Sequence, residues 1–138
     1  MTISPIFIDT NILLYAFDSE VLVKHEKARS IVEPYLTTDF VPIISTQVLH
    51  EFSHQMIRRG YSASQIEDIV EPFLDWHVVE STTPLFRNAL KVMNSYRLSI
   101  WDSLIIAAAL EAKADNILTE DLNSGQAYGS VVAENPFG

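Results

Sequence analysis

Four acidic side chains in this 138-residue chain are of the right type to bind a cation jointly. They are Asp9, Glu51, Asp102 and Asp121. Carboxylates gathered in one pocket repel one another, and some of them take up protons unless a cation neutralises them. A set of ligands made only of oxygens, in a chain without cysteine, suits Mg²⁺ or Mn²⁺. Such ions activate water and stabilise an in-line phosphoryl displacement, so the predicted chemistry is hydrolysis of a phosphodiester bond.

The side chains have different roles in this interpretation. The predicted metal ligands are Asp9, Asp102 and Asp121. Glu51 is either a further ligand or the group that orients the attacking water. Asn11 and Thr119 each stand two residues from one of the acids, and we expect them to hydrogen-bond the carboxylates.

Short apolar segments that alternate with helical patterns must position these acids. The predicted strands cover residues 5–9, 41–45, 76–80, 116–119 and 130–133. The helical patterns cover residues 21–37, 46–59, about 62–74, 83–96 and 99–114. This alternation predicts an α/β fold with helices on both faces of a central, mostly parallel, five-stranded sheet. In such folds the functional crevice lies beyond the carboxyl ends of the strands.

The acids fall at that predicted edge of the sheet. Asp9 ends the first strand, and Glu51 lies in the first turns of the helix after the second strand. Asp102 lies in the first turn of the helix that opens at Ser99, and Asp121 follows the fourth strand. Because parallel strands end at the same edge, we expect the four carboxylates to share one pocket.

Each acid also has a purely structural explanation. Asp9 and Asp121 could cap a helix or a turn, and Glu51 could lie on a solvated helix face. Ser99 and Asp102 have the S-x-x-D spacing of a helix capping box. Four unrelated caps at one edge of the sheet are less expected than a single acidic site.

The segment HEFSH at residues 50–54 offers a competing interpretation. It matches the H-E-x-x-H pattern of zinc proteases, in which His50 and His54 bind the metal and Glu51 is the general base. The third ligand would come from His25, Glu71, Asp75 or His77. The pattern fixes only three residues and leaves the other acids unexplained. Ordinary histidines on a helix face explain it better.

The charge of the chain is unusual for a protein that binds nucleic acid. Nine basic residues stand against eighteen acidic ones, so the net charge is −9. Phosphate neutralisation dominates most nucleic-acid affinity, so an RNA-binding function would need bound cations or a local basic patch. The candidates for RNA contacts are Arg58, Arg59, Arg87, Lys91 and Arg97. Each of them could equally be a solvated surface charge.

The composition narrows the remaining classes. A hydrophobic fraction of 48% fits a folded domain and argues against disorder. No apolar stretch is long enough to span a membrane, and the start MTISPIF lacks the basic region of a secretory signal. We therefore expect a cytoplasmic protein that forms one domain over residues 1–138.

Several segments in order resemble the PIN-domain family, most closely the VapC-type ribonuclease toxins of toxin–antitoxin pairs. They are FIDTNILLYAFD, QVLHEF, SIWDSLIIAAALEAKADNILTEDLNSGQ and the later NPF. The resemblance implies an α/β/α sandwich and an endoribonuclease that depends on Mg²⁺ or Mn²⁺. It also implies a homodimer that a cognate antitoxin inhibits.

The acidic positions of that family fall on all four acids named above, with Asn11 and Thr119 at its supporting polar positions. Two other functions stay open from the sequence. One is a PIN-like nuclease that acts in RNA processing or on DNA. The other is a receiver-like module that binds Mg²⁺ without cleaving anything. A receiver needs a lysine near the pocket from its fifth strand, and the fifth predicted strand of this chain, with the ENPFG that follows it, has none.

Overall fold

A six-stranded sheet forms the centre of the computed structural model, which describes residues 5–138. The strands are β1 (Ile6–Ile8), β2 (Ile43–Ser45), β3 (His77–Val79), β4 (Asn116–Leu118), β5 (Ala127–Tyr128) and β6 (Val131–Glu134). Their spatial order is β3-β2-β1-β4-β6-β5. All neighbours pair in parallel except β5 and β6, which are antiparallel. The carboxyl ends of five strands therefore meet at one edge.

Helices flank this sheet. They are α1 (Thr10–Phe17), α2 (Leu22–Thr37), α3 (Thr46–Arg58), α4 (Ala63–Val70), α5 (Thr83–Tyr96) and α6 (Ile100–Glu111). A short 3₁₀ segment, Glu71–Asp75, follows α4. Within residues 5–138, no helix is long and apolar enough to cross a membrane.

The first strand lies inside the sheet, between β2 and β4, and both of its faces are covered. Phe7 and Ile8 are completely buried, and Phe7 pairs with Ile43 on one side and Ile117 on the other. Burial of such apolar surface is the main stabilising contribution to a small core. The residue that follows this strand, Asp9, is thereby fixed at the centre of the edge.

The predicted α/β fold with a mostly parallel sheet is confirmed, but the predicted count of five strands is wrong. The strand that was not predicted is β5. It is only two residues long and carries no alternating pattern that could reveal it. The predicted helix over about 62–74 also ends earlier, at Val70. Pro72 has no amide hydrogen to donate, and the chain continues as a 3₁₀ segment instead.

Candidate active site

Asp9 is a buried carboxylate that is only 5% exposed. Its backbone N–H donates to the carbonyl of Leu118 at 3.0 Å, which joins the end of β1 to β4. Its Oδ1 accepts the N–H of Thr10 at 2.7 Å, and its Oδ2 accepts the hydroxyl of Thr119 at 2.7 Å. Asp9 is therefore the N-cap of α1, as the structural explanation requires, and its carboxylate is also fixed at the edge of the sheet.

Thr119 connects Asp9 to the loop that carries Asp121. Thr119 is completely buried, and its N–H donates to the carbonyl of Glu134 in β6 at 3.0 Å. Its hydroxyl oxygen accepts the N–H of Asp121 at 3.0 Å while donating its hydrogen to Asp9. One hydroxyl therefore sets the positions of two acids.

Asn11 lies in the first turn of α1 and reaches Asp121 from the other side. Its Nδ2 donates to Asp121 Oδ2 at 3.0 Å. Among the buried side-chain oxygens and nitrogens of residues 5–138, the Oδ1 of Asn11 is the one without a hydrogen-bond partner. A buried amide oxygen without a partner is costly, so it is available to a water or a cation in the site.

Glu51 projects from α3 and is held by two hydrogen bonds. Thr10 donates its hydroxyl to Glu51 Oε2 at 3.0 Å, and Gln47 donates its amide to Oε1 at 2.7 Å. The same Gln47 nitrogen donates to the backbone carbonyl of Trp101 at 3.2 Å. Gln47 thus joins α3 to the start of α6, where Asp102 lies.

Asp102 is half-buried in the first turn of α6, which no strand precedes. The hydroxyl of Ser99 accepts the N–H of Asp102 at 3.1 Å, so this half of the capping pattern is present. The helix start is brought to the edge of the sheet by Gln47 and by contacts between α6 and β2.

Burial and mutual repulsion act on all three aspartates. Burial raises the pKa of Asp9 to about 7, although hydrogen bonds from Thr119 and Thr10 oppose the shift. Burial also raises the pKa of Asp102, with a further contribution from the charge of Glu51. The pKa of Asp121 is raised by burial and then by the charges of Asp102 and other nearby acids. The site therefore favours any cation that restores the ionised forms.

A neutralised acid lies beside these carboxylates. Glu120 accepts a hydrogen bond from the hydroxyl of Tyr15 at 2.7 Å and forms an ion pair with Lys24 of α2. Burial acts to raise the pKa of Glu120, but the bonds from Lys24 and Tyr15 outweigh it and leave that pKa below its usual value. Glu120 thus stays ionised without adding an uncompensated charge to the site.

An open cleft of about 360 Å³ lies against these residues. It is lined by side chains of α1, α3 and the segment after β4, including Asn11, Glu51, Gln55, Glu120 and Asp121. Three of the residues that line it, Glu51, Glu120 and Asp121, are acidic, so the cleft attracts cations. Asp9 and Asp102 are not among its lining residues.

The HEFSH segment does not form a zinc site in this arrangement. His50 and His54 are both exposed, whereas Glu51 is turned toward Thr10 and Gln47. Among residues 5–138, no group of three or more His, Asp and Glu side chains is placed to hold a metal ion. That finding applies to the histidines and to the four acids alike.

The chemistry of the acidic residues nevertheless fits a hard cation. They offer only oxygens, three of them have raised pKa values, and the free Oδ1 of Asn11 adds a neutral oxygen. Mg²⁺ retains several waters and is commonly held by only one or two carboxylates directly. Such an ion does not need three side chains in direct contact.

Within the described part of the chain, the basic residues predicted as RNA contacts are not joined to the acidic site. Arg59 Nε forms an ion pair with Asp18 Oδ2 at 2.7 Å, so its charge is already compensated. The other four, Arg58, Arg87, Lys91 and Arg97, are exposed. Among residues 5–138, no hydrogen bond or ion pair joins any of the five to the acids at the sheet edge.

Sequence reasoning missed four residues around the acids: Thr10, Tyr15, Lys24 and Gln47. Two of them carried a readable signal. Thr10 directly follows Asp9, and Gln47 stands four residues before Glu51 on the same helix face. Lys24 lies 96 residues from Glu120 and could not be assigned from local spacing.

The family follows from comparison with known proteins. Residues 6–128 match the model of the PIN domain, so the chain belongs to the PIN domain family. Comparison with curated proteins gives no match. The predicted family is thus confirmed.

Solved structures with the same fold include toxins and toxin–antitoxin complexes. VapC20 of Mycobacterium tuberculosis, a toxin that cleaves the sarcin–ricin loop, is 18% identical, with a TM-score of 0.66 over 84% of this chain and 91% of that one. A toxin–antitoxin complex from Klebsiella pneumoniae is 18% identical, with a TM-score of 0.71 over 96% and 98%. VapBC2 of Rickettsia felis, bound to promoter DNA, is 16% identical, with a TM-score of 0.66 over 94% and 97%. At such identities the likeness establishes the fold.

Proposed function

We propose that this chain is a metal-dependent endoribonuclease and the toxin of a toxin–antitoxin pair. The observation that carries the proposal is the buried carboxylate of Asp9, held between Thr10 and Thr119 at the edge where Glu51 and the other acids lie. The family and the toxins among its structural neighbours support it.

The residues proposed to hold Mg²⁺ or Mn²⁺ are Asp9, Asp102 and Asp121, one or two of them directly and the rest through water. When bound, the ion would neutralise the carboxylates and lower the pKa of a water molecule. Asn11 would hold Asp121 in place through its 3.0 Å hydrogen bond.

Glu51 is proposed to orient the attacking water and to accept its proton. Each of its oxygens receives one hydrogen bond, from Thr10 or from Gln47, and keeps a further lone pair free. Those two bonds fix the direction of the carboxylate before the substrate arrives, which is what a positioned base requires.

Cleavage of single-stranded RNA tests the activity. The wild-type chain should cleave with Mg²⁺ or Mn²⁺ and stop when EDTA is added. Asp9→Asn should remove most of the turnover. Asp115→Asn is the matched control, because Asp115 is exposed and precedes β4, at the opposite edge of the sheet. Equal cleavage by the wild type and Asp9→Asn, or no cleavage with either ion, would contradict the proposal. A single-stranded DNA of the same sequence tests the choice of nucleic acid.

The proposed partner is an antitoxin that carries a basic segment. The chain has a net charge of −9, which attracts such a segment and accelerates association at low salt. An arginine inserted among the carboxylates would pair with them bidentately and would compete with Mn²⁺. Induced expression should arrest growth, and co-expression of the antitoxin should restore it. An antitoxin affinity unchanged by saturating Mn²⁺ would exclude insertion.

A further inference from the structure

Trp101 is an unusually exposed aromatic side chain. It is 64% exposed and lies in the first turn of α6, immediately before Asp102. The other tryptophan, Trp76, is 6% exposed and stacks in a tilted arrangement against the ring of Phe73. Exposure leaves the apolar surface of the Trp101 indole in water, so packing in the fold does not explain its presence.

The backbone of Trp101 is fixed to the candidate active site. Its carbonyl accepts the Gln47 amide at 3.2 Å, and the same nitrogen donates to Glu51 at 2.7 Å. The residue that carries the indole is therefore linked to Glu51 through one side chain, that of Gln47, and it directly precedes Asp102.

The charge of the protein contributes little to its affinity for RNA. The net charge is −9, and three of the nine basic residues are paired with acids: Lys24, Arg29 and Arg59. Stacking of bases on aromatic rings needs no net positive charge, and any base can take part in it. An exposed indole next to the acids supplies such a contact.

We propose that Trp101 stacks on an unpaired base of a single-stranded RNA substrate, next to the phosphate that is cleaved. The inference rests on the proposed function and deepens it by naming how the substrate is held. The occupant is a single-stranded region, because the faces of paired bases are covered by their neighbours in a duplex. Trp101 is a binding residue in this proposal and takes no part in the chemical step.

Quenching by a stacked base should report on Trp101, because the buried ring of Trp76 is inaccessible to RNA and contributes a constant background emission. The wild-type chain in EDTA, where cleavage does not occur, is titrated with a short single-stranded RNA. Saturable quenching of the tryptophan emission is expected, and a duplex of the same sequence should give much less. Trp101→Phe should remove the quenching while RNA binding, measured by anisotropy of a labelled strand, persists.

Affinity and turnover provide the second measurement. Trp101→Ala should weaken binding of the single strand about tenfold and raise KM by a similar factor with little change in kcat. Phe40→Ala is the matched control, because Phe40 is 59% exposed and precedes β2 on the amino side of the sheet. That variant should bind RNA like the wild type.

Three outcomes would overturn the inference: no quenching by the single strand, unchanged affinity in Trp101→Ala, or equal losses in Phe40→Ala. If the affinity of Trp101→Ala is unchanged but its sedimentation differs from that of the wild type, the indole contacts a second copy of the chain instead. Binding and quenching in EDTA do not require cleavage. Quenching by an RNA that is never cleaved would therefore support the stacking and reject the proposed activity.

Discussion

The hydroxyl of Thr119 lies 2.7 Å from Asp9 Oδ2, although 110 residues separate them in the chain. The same hydroxyl accepts the N–H of Asp121 at 3.0 Å. A single buried oxygen therefore fixes both the buried acid at the end of β1 and the loop after β4. The geometry of the acidic site depends on this one group.

Thr119→Val tests the effect of the Thr119 hydroxyl without changing the size of the side chain. The two side chains are nearly equal in size, so the variant loses both hydrogen bonds without creating a cavity. Loss of a polar group that orients a metal ligand typically costs about 10- to 100-fold in activity or metal affinity. Leaving the buried Asp9 oxygen and the partly buried Asp121 N–H without partners should also lower the free energy of unfolding by about 1–3 kcal/mol. RNA cleavage and urea denaturation measure the two effects.

The control for that change is Thr119→Ser, which retains the hydroxyl. It should keep most of the activity and Mn²⁺ affinity of the wild type. Wild-type activity in Thr119→Val would show that the two hydrogen bonds of the Thr119 hydroxyl are not needed, because valine keeps the methyl group and lacks only the hydroxyl.

The stability of the metal-free chain should fall as the pH rises from about 4 to about 7. The pKa of Asp9 is about 7 in the folded protein against an ordinary value of 3.8, so the folded state holds the extra proton in this interval. Because the folded state binds more protons than the unfolded state, raising the pH lowers the free energy of unfolding. Above pH 7 the full loss is present, and below pH 4 it is absent.

Urea denaturation in EDTA at several pH values measures this slope. Asp9→Asn removes the titrating group and should flatten it. A slope that is the same in both proteins would show that Asp9 does not titrate in this range.

Glu51→Gln should be far more damaging than loss of both neighbouring histidines. Removing a positioned base costs about 10²-fold or more. His50 is exposed, and His54 lines the cleft without a hydrogen bond to the acids. The double change His50→Ala with His54→Ala should therefore leave most RNA cleavage intact. A folded but inactive double variant, or stoichiometric zinc in the wild-type protein, would restore the zinc-site interpretation.

Lys24→Met should weaken RNA binding by exposing the charge of Glu120. The ion pair is neutral as a whole, so removal of the cation alone leaves a negative charge beside Asp121. KM for RNA should rise a few-fold, more at low salt than at high salt. The double change Lys24→Met with Glu120→Gln should restore KM. If the double variant stays weak, Lys24 contacts the phosphates itself.

The sequence made the sheet and its acidic edge predictable for a physical reason. Alternating apolar segments and helical patterns permit few arrangements, and parallel strands must end together. That rule alone predicts that Asp9 and Asp121 lie near each other. Asp102 was harder, because no strand precedes its helix, and its position depends on the hydrogen bond from Gln47 to Trp101.

Pairings between distant side chains could not be read in the same way. Lys24 with Glu120 and Arg59 with Asp18 join residues whose spacing has no helical or strand period. Arg59 was predicted as a possible RNA contact because its existing partner could not be seen. Local spacing reports on faces of single elements, whereas these pairs depend on how elements pack.

The position of β1 between β2 and β4 has a consequence for the order of events during synthesis. The ribosome makes Asp9 more than one hundred residues before β4, the strand that pairs with β1 on one side. A nascent chain that already carries Asp9, Glu51 and Asp102 still lacks the hydroxyl of Thr119 and has no partner for that side of β1. If the chain cleaves RNA as proposed, cleavage can begin only after residues 116–119 have been synthesised and have paired with β1.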